Sequence, residues 1–301
     1  MFVFLSVFLM FGISQSLVWR SSRLRTGSCA RLSITSVGGS SPPMTVMNGD
    51  ARFPETFSSF GRVRADVLIT DPPYCLLERR RKGGDLRDPK KRSKLDGEDT
   101  VPRYENVKEY KRFTEQWLTS CIQHGLKDGA VLCIWTNPLG KRPIVDVAST
   151  LGYELQGEYL WAKRTTTGAS SITSTKNEVL LRVYESALVL TKKTDQNSTT
   201  KLPLGPSDVS FPWSVITGYH EDDGEIRHEH PCHKPFAALE PLIRAWTRPG
   251  DVVMDCFAGS GGILQAVVRI GGKRSAVGIE MLPEWVTKSN EAIKAETQKH
   301  Q

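Results

Sequence analysis

Short apolar runs alternate with amphipathic stretches along most of this chain. Six of the runs predict β-strands, because each is brief and bounded by polar or turn-forming residues. They cover residues 65–70, 129–135, 153–161, 185–190, 252–255 and 275–280. Helical spacing of apolar residues predicts helices over 107–125, 143–151, 263–270 and 283–296. This alternation predicts an α/β fold with a mostly parallel sheet covered on both faces, in which the third and fourth strands form an antiparallel edge hairpin.

The first predicted strand ends at Asp71, Pro72, Pro73 and Tyr74. Neither proline can donate to a sheet ladder, so the strand must stop there and the chain must turn. The turn places a carboxylate, rigid backbone carbonyls and an aromatic face at the carboxyl end of a strand, which is where open α/β sheets bind ligands. An ordinary strand followed by an Asp-Pro turn is the alternative interpretation of the same four residues.

A glycine-rich turn follows the strand at 252–255 and precedes a helix. Gly259, Gly261 and Gly262 allow the backbone to approach a ligand at a helix amino terminus. The spacing is neither the full dinucleotide fingerprint nor a phosphate loop, so it favours neither NAD nor ATP. Glu280, at the end of the next strand, is placed to hold a pair of ribose hydroxyls. The alternative is that these glycines serve only tight helix–strand packing.

Three segments together resemble one enzyme family. They are Asp-Pro-Pro-Tyr at 71–74, Asp-Cys-Phe-Ala-Gly-Ser-Gly at 255–261 and His-Pro-Cys-His-Lys-Pro at 230–235. Because the Asp-Pro-Pro-Tyr segment comes first in the chain and the Phe-x-Gly-x-Gly segment last, they resemble the beta group of S-adenosylmethionine-dependent DNA amino-methyltransferases, which methylate the exocyclic nitrogen of adenine or cytosine. The resemblance covers residues 44–295. It implies a Rossmann-like methyltransferase sheet with circularly permuted motif order, opened by a short strand at 44–50.

The resemblance also implies roles for individual residues. The Asp71 side chain and the Pro72 carbonyl would accept the hydrogens of the target amine, Pro73 would keep the turn rigid, and Tyr74 would stack on the extruded base. The residues implied for cofactor binding are Asp50, Lys234, Pro235, Asp255, Phe257, Gly259, Ser260, Gly261 and Glu280. The leading Asp favours adenine-N6 as the target. Cytosine-N4 in DNA, or an RNA substrate for the same pocket, are the alternatives.

The charge of the chain suits a polyanionic partner, since the net charge is +7 and the pI is near 9.1. Residues 79–94 carry nine Lys or Arg against two Asp and lack an apolar face. This composition predicts a basic loop beside the turn at 71–74, which is called the acceptor turn below. Arg79, Arg80, Arg81 and Lys82 are its candidate phosphate contacts, unless the loop is only a solvated insertion.

Polar insertions at 164–176 and 192–208 are either further DNA contacts or plain surface loops. We expect a monomer or homodimer without stable membrane association.

The first 43 residues differ in composition from the rest, and 44–301 is predicted to form one methyltransferase domain. Residues 2–13 are an apolar run too short to span a bilayer, and arginine- and serine-rich sequence without acidic residues follows it. This pattern predicts a disordered, cleavable organelle-targeting leader, for a plastid rather than a mitochondrion. Translation starting at Met44 or Met47 is the alternative, with a cytosolic or nuclear protein. His and Cys crowd into 228–233, but their spacing is not that of a structural zinc site, so no metal is expected.

Overall fold

The computed structural model describes residues 44–77, 103–163, 184–193, 215–219 and 234–300. Four predicted features lie outside these residues: the leader at 1–43, the basic loop at 79–94, the insertion at 164–176 and the His/Cys cluster at 228–233. Of the insertion at 192–208, only its first two residues are described.

The described residues form one eight-stranded sheet, whose order is β1-β8-β7-β2-β3-β5-β4-β6. Only β5 runs against its neighbours among these strands; the other described pairings are parallel. The strands are β1 Thr45–Asn48, β2 Ala65–Thr70, β3 Leu126–Thr136, β4 Tyr153–Lys163, β5 Tyr184–Lys192, β6 Val215–Tyr219, β7 Val252–Asp255 and β8 Ser275–Glu280. The mostly parallel sheet and the antiparallel β4–β5 pairing are therefore confirmed. The predicted position of this hairpin at the edge is wrong, because β6, which the sequence did not predict, pairs with β4 and forms that edge.

Within the described residues, five helices connect strands and a sixth follows β8. They are α1 Pro54–Ser58, α2 Val107–His124, α3 Pro138–Thr150, α4 Phe236–Trp246, α5 Gly262–Ile270 and α6 Pro283–Lys299. Helix α3 begins five residues before its predicted start, because the Asn137 side chain caps it and Pro138 occupies the first turn. Pro143 is accommodated inside this helix.

Both faces of the sheet are buried at its centre, which explains why β2 and β7 are short, mostly apolar runs. Along β2, Leu68 packs in one core cluster while Val67 and Ile69 pack in the other. The two clusters fill opposite faces because successive side chains of a strand point to opposite sides. Helix α2 covers the first cluster with Trp117, and α4 and α5 cover the second.

The strand order reverses direction between β2 and β7. From β2 the chain crosses to β3 on one side, whereas β7 pairs with β2 on the other side and leads outward to β8. A crevice at the carboxyl ends of the strands opens at such a switch point. The two strands that meet there are those followed by Asp71 and by the glycine-rich turn.

Candidate functional site

The turn after β2 is tied to the neighbouring helix. Asn137 lies between β3 and α3, and its side-chain amide donates to the Cys75 carbonyl at 3.0 Å. Its side-chain oxygen accepts from the Gly140 backbone N–H at 2.9 Å, as a helix cap does. Pro72 and Cys75 are buried. The turn is therefore fixed both by its prolines and by one buried side chain.

Asp71 lies in a buried ionic cluster. Its Oδ2 accepts from the Lys234 ammonium at 2.5 Å, and the two side chains are 14 % and 6 % exposed. Its Oδ1 is buried and has no hydrogen-bond partner among the described residues. Burial raises the pKa of Asp71 above its ordinary value; Lys234 opposes that rise and Glu185 adds to it.

The Lys234 ammonium forms ion pairs with two carboxylates. Besides Asp71, its ammonium contacts Glu185 Oε2 at 2.9 Å. Burial alone would lower the pKa of Lys234, but the two carboxylates raise it to about 12. The ammonium also lies 5.0 Å from the ring centroid of Trp135. Lys234 therefore stays charged, and it bridges the acceptor turn to the start of β5.

Tyr74 belongs to the same cluster. Its hydroxyl donates to Glu185 Oε2 at 2.9 Å and accepts from Lys234 Nζ at 3.2 Å. Burial raises the pKa of Tyr74 well above its usual value, so the hydroxyl remains a donor. Its ring is only partly buried and packs against the second core cluster. The ring orientation is thus set at its hydroxyl end.

The glycine-rich turn after β7 meets the carboxyl end of β8. The Gly259 N–H donates to Glu280 Oε2 at 2.9 Å, and the Leu282 N–H donates to Glu280 Oε1 at 2.8 Å. Gly259 and Gly261 have positive φ angles of 49° and 78°, which favour glycine. A Cβ on Gly261 would also lie 3.0 Å from Ser289 Cβ on α6. Gly261 therefore also permits close helix packing, while Gly259 fixes the Glu280 carboxylate.

Asp255 is 2 % exposed at the end of β7. Its Oδ1 accepts from the Thr70 hydroxyl at 2.7 Å and from the Phe257 N–H at 3.1 Å. Burial raises the pKa of Asp255 to about 7, although both hydrogen bonds oppose the rise. A carboxyl with a pKa near neutrality, beside a cleft, is typical of a functional site.

One cleft joins the two turns, with about 370 Å³ of empty space that includes its open mouth. It is lined by Asp71, Lys234, Leu239, Asp255, Phe257, Ala258, Gly259, Ser260, Gly262 and Ile263. Seven of these were named from the sequence: Asp71, Lys234, Asp255, Phe257, Gly259, Ser260 and Gly262. The structure thus brings the acceptor turn, the glycine-rich turn and Lys234 to a single cavity.

Other predicted residues lie around this cleft or outside the described part of the chain. Pro235 precedes α4, and Glu280 lies at the end of β8 behind Gly259. Asp50 follows β1, which pairs with β8, but its carboxylate is bound by the Arg52 guanidinium at 2.6 Å. The four candidate phosphate contacts, Arg79, Arg80, Arg81 and Lys82, lie outside the described residues.

Sequence reasoning missed Glu185, Thr70 and Asn137. Glu185 gave a signal, since it is a charged residue at the start of an otherwise apolar strand. Thr70 gave none, because a threonine inside a strand is unremarkable in sequence. Asn137 precedes a proline, which is a helix-start signal, but no pattern shows its bond to the acceptor turn.

Within the described part of the chain, no group of three or more His, Cys, Asp or Glu side chains is placed to hold a metal ion. In the same residues, no helix combines the length and apolar character needed to cross a membrane.

The model of one protein family, described as "DNA methylase" and covering N6 and N4 methylases, matches residues 65–291. Among curated proteins, the chain is similar to the Type II methyltransferase M1.MboII of Moraxella bovis. The two are 26 % identical over 249 residues, which cover 74 % of this chain and 87 % of that protein.

Two solved structures share the fold. The M1.HpyAVI–SAM complex is 19 % identical, with a TM-score of 0.57, and the match covers 83 % of this chain and all of that one. The PvuII DNA methyltransferase, described as cytosine-N4-specific, is 17 % identical, with a TM-score of 0.53. That match covers 87 % of this chain and 95 % of the PvuII enzyme.

Proposed function

Because the chain belongs to the N6/N4 DNA methylase family, we propose that it transfers the methyl group of S-adenosylmethionine to the exocyclic N6 amine of adenine in DNA. Such a reaction needs an acceptor for the amine hydrogens beside a nucleoside-binding edge. The turns after β2 and β7, to which we assign these two roles, line one cleft.

The observation that supports this proposal most directly is the hydrogen bonding of the two Asp71 side-chain oxygens. Oδ2 is held by Lys234, while Oδ1 is buried with no partner among the described residues. Several buried hydroxyls and indole nitrogens of the described residues also lack a partner, but Asp71 Oδ1 is the carboxylate oxygen among these atoms and belongs to a residue that lines the cleft. An amino group donated by a substrate supplies this oxygen with a partner. Lys234 meanwhile holds the carboxylate in place and favours its charged form.

The amine of a nucleobase is a poor nucleophile, because its lone pair is delocalised into the ring. Asp71 Oδ1 and the Pro72 carbonyl would accept its two hydrogens and hold the nitrogen in line for transfer. Tyr74, fixed at its hydroxyl, would stack on the base after extrusion from the duplex. Asp71 need not be a strong base, since the proton can leave after the methyl group has moved.

The residues around the glycine-rich turn fit S-adenosylmethionine, which when bound supplies a methyl group activated on a sulfonium. Each Glu280 oxygen accepts one backbone N–H and retains a lone pair, so the carboxylate can take two ribose hydroxyls. Phe257 and Ile263 offer apolar surface, and Asp255 offers a carboxyl group near a cationic ligand.

DNA is the partner that the family membership supports, and a net charge of +7 suits it. We assign phosphate contacts to the basic loop at 79–94, which follows the acceptor turn in sequence. Adenine is proposed as the target because Asp leads the acceptor motif. Cytosine-N4 stays the second candidate, since the family model covers both amines and the fold is shared with a cytosine-N4 enzyme.

Incubation of the protein with methyl-labelled S-adenosylmethionine and unmethylated DNA, RNA or protein tests this proposal. Nucleoside analysis should then find labelled N6-methyladenine in the DNA. Labelled N4-methylcytosine would move the proposal to the second candidate. Label found only in RNA or protein would overturn it.

A further inference from the structure

We infer that Glu185 is a positioning residue of the acceptor site, which fixes Tyr74 directly and Asp71 through Lys234. This inference rests on the proposed function. It concerns how the acceptor turn is held for the incoming base.

The direction of β5 explains why Glu185 reaches the site. Ser186 and Ala187 of β5 pair antiparallel with Thr136 and Trp135 of β3. The beginning of β5 therefore lies at the edge of the sheet where the parallel strands end. A glutamate at the start of this strand is brought to the acceptor turn, 111 residues away from Tyr74 in sequence.

The contacts of Glu185 are those of a buried, specific group. Its side chain is 13 % exposed, and its Oε2 accepts from both the Tyr74 hydroxyl and the Lys234 ammonium, each at 2.9 Å. Hydrogen bonds to an ionised acceptor are about twice as strong as neutral ones. Placing a carboxylate here for packing alone would be costly, because a buried charge is tolerated only when it is paired.

Two geometric consequences follow for the acceptor site. The Tyr74 ring is anchored at its backbone and at its hydroxyl, which fixes its tilt for stacking. The Lys234 ammonium is drawn between Glu185 and Asp71, so it binds Oδ2 of Asp71 and leaves Oδ1 for the substrate. Glu185 thus acts through two neighbours without touching the base itself.

The test compares Glu185→Gln and Glu185→Ala with wild type. Glu185→Gln keeps the shape and an acceptor for Tyr74 but removes the charge. Turnover on DNA should fall roughly tenfold for Gln and further for Ala, since these variants lack the charged hydrogen bonds. Affinity for S-adenosylmethionine, measured by calorimetry, and the melting temperature should change little for the Gln variant. Glu154→Gln, on an exposed residue of the adjacent β4, is the matched control and should behave as wild type.

Two further readouts separate positioning from general structural damage. In a Tyr74→Phe background, Glu185→Ala should cost less than it does in wild type, because part of its effect passes through the hydroxyl. The acid limb of the turnover–pH profile should move to lower pH in Glu185→Gln, since a neighbour that raises the pKa of Asp71 is gone. Among the residues that the structure describes, the charged and titratable groups that face Asp71 are Lys234, Glu185, Tyr74, Asp255 and Tyr110.

Each outcome decides the inference. An active wild type whose Glu185→Gln variant keeps both its turnover and its pH profile would overturn the inference alone. Effects of Glu185→Ala and Tyr74→Phe that simply add would also overturn it. A wild type that methylates no DNA would overturn the proposed function and this inference together.

Discussion

The hydroxyl of Thr70 donates to Asp255 Oδ1 at 2.7 Å and accepts from the Cys256 N–H at 3.1 Å. Thr70 directly precedes Asp71, and Asp255 opens the glycine-rich turn. Two segments separated by 185 residues in sequence therefore share one buried side chain. This link holds the start of the glycine-rich turn next to the residue that precedes Asp71, across β2 and β7.

Asp255→Asn should stabilise the protein without ligand at pH 8. The folded pKa of Asp255 is about 7 against an ordinary value of 3.8, because burial disfavours the charge. The folded state therefore binds more protons between these pH values, and this group's contribution to stability falls as pH rises through that window. Asparagine cannot ionise, so it removes the destabilisation that the buried charge causes, on the order of a few kcal/mol at pH 8. The gain should shrink toward pH 4, as measured by urea unfolding.

Asp128→Asn is the control for this measurement. Asp128 lies on β3 with its side chain 86 % exposed and paired to Lys192, so its removal should alter stability little. An Asp255→Asn variant no more stable than wild type at pH 8 would mean that the carboxyl is not desolvated in solution.

Glu280→Ala should weaken S-adenosylmethionine binding by about tenfold to a hundredfold, because the ribose hydroxyls no longer find a charged acceptor for two hydrogen bonds. Calorimetric titration measures this change directly. Glu284→Ala, four residues on and exposed on α6, should bind the cofactor as wild type does. Equal affinities for the Glu280 and Glu284 variants would remove Glu280 from the cofactor site.

Most of the fold followed from local sequence patterns. The strand at Ala65–Thr70 was predicted within its observed bounds, because an apolar run meets two prolines there. Helix α4, Phe236–Trp246, was missed, since Pro241 lies inside it and proline usually ends a helical pattern. Strand β6 was missed because no apolar period marks it.

The site residues that could be predicted lie at strand ends or in the segment at 230–235, whose motif names Lys234. Asp71 and Asp255 carry that local signal, so they could be named from sequence. The place of Lys234 between two carboxylates could not, because it depends on the antiparallel pairing of β5 with β3. The pairing of β5 with β3 has no local sequence signal from which it could be predicted.

Asn137→Ser should lower turnover on DNA by roughly tenfold, since a small displacement of reacting groups is costly. Serine still caps α3, but it is too short to reach the Cys75 carbonyl. Asn106→Ser, the same exchange at the cap of α2, is the control and should leave turnover unchanged. Equal turnover in the two variants would show that the Asn137–Cys75 bond does not hold the acceptor turn.

Replacement of Arg79, Arg80, Arg81 and Lys82 by alanine should weaken DNA binding most at low salt. For every phosphate that the variant no longer neutralises, the slope of log affinity against log salt should become shallower by about 0.9. Cofactor affinity should hardly change. Removal of the Lys294 and Lys299 charges from α6 is the control and should alter the slope less. An unchanged slope in the quadruple variant would mean that the loop is only a solvated insertion.

The role of Asp71 is tested most directly by the rate at which Asp71→Ala transfers methyl groups to DNA at saturating cofactor and DNA. Cofactor affinity is measured on the same preparation. Loss of the acceptor oxygen should slow transfer by about a hundredfold to a thousandfold. Affinity for S-adenosylmethionine should stay close to that of wild type, because Glu280 and the glycine-rich turn are unchanged. A variant that transfers methyl groups at nearly the wild-type rate, or that loses cofactor affinity as steeply as activity, would contradict the assignment of Asp71 as the acceptor of the target amine.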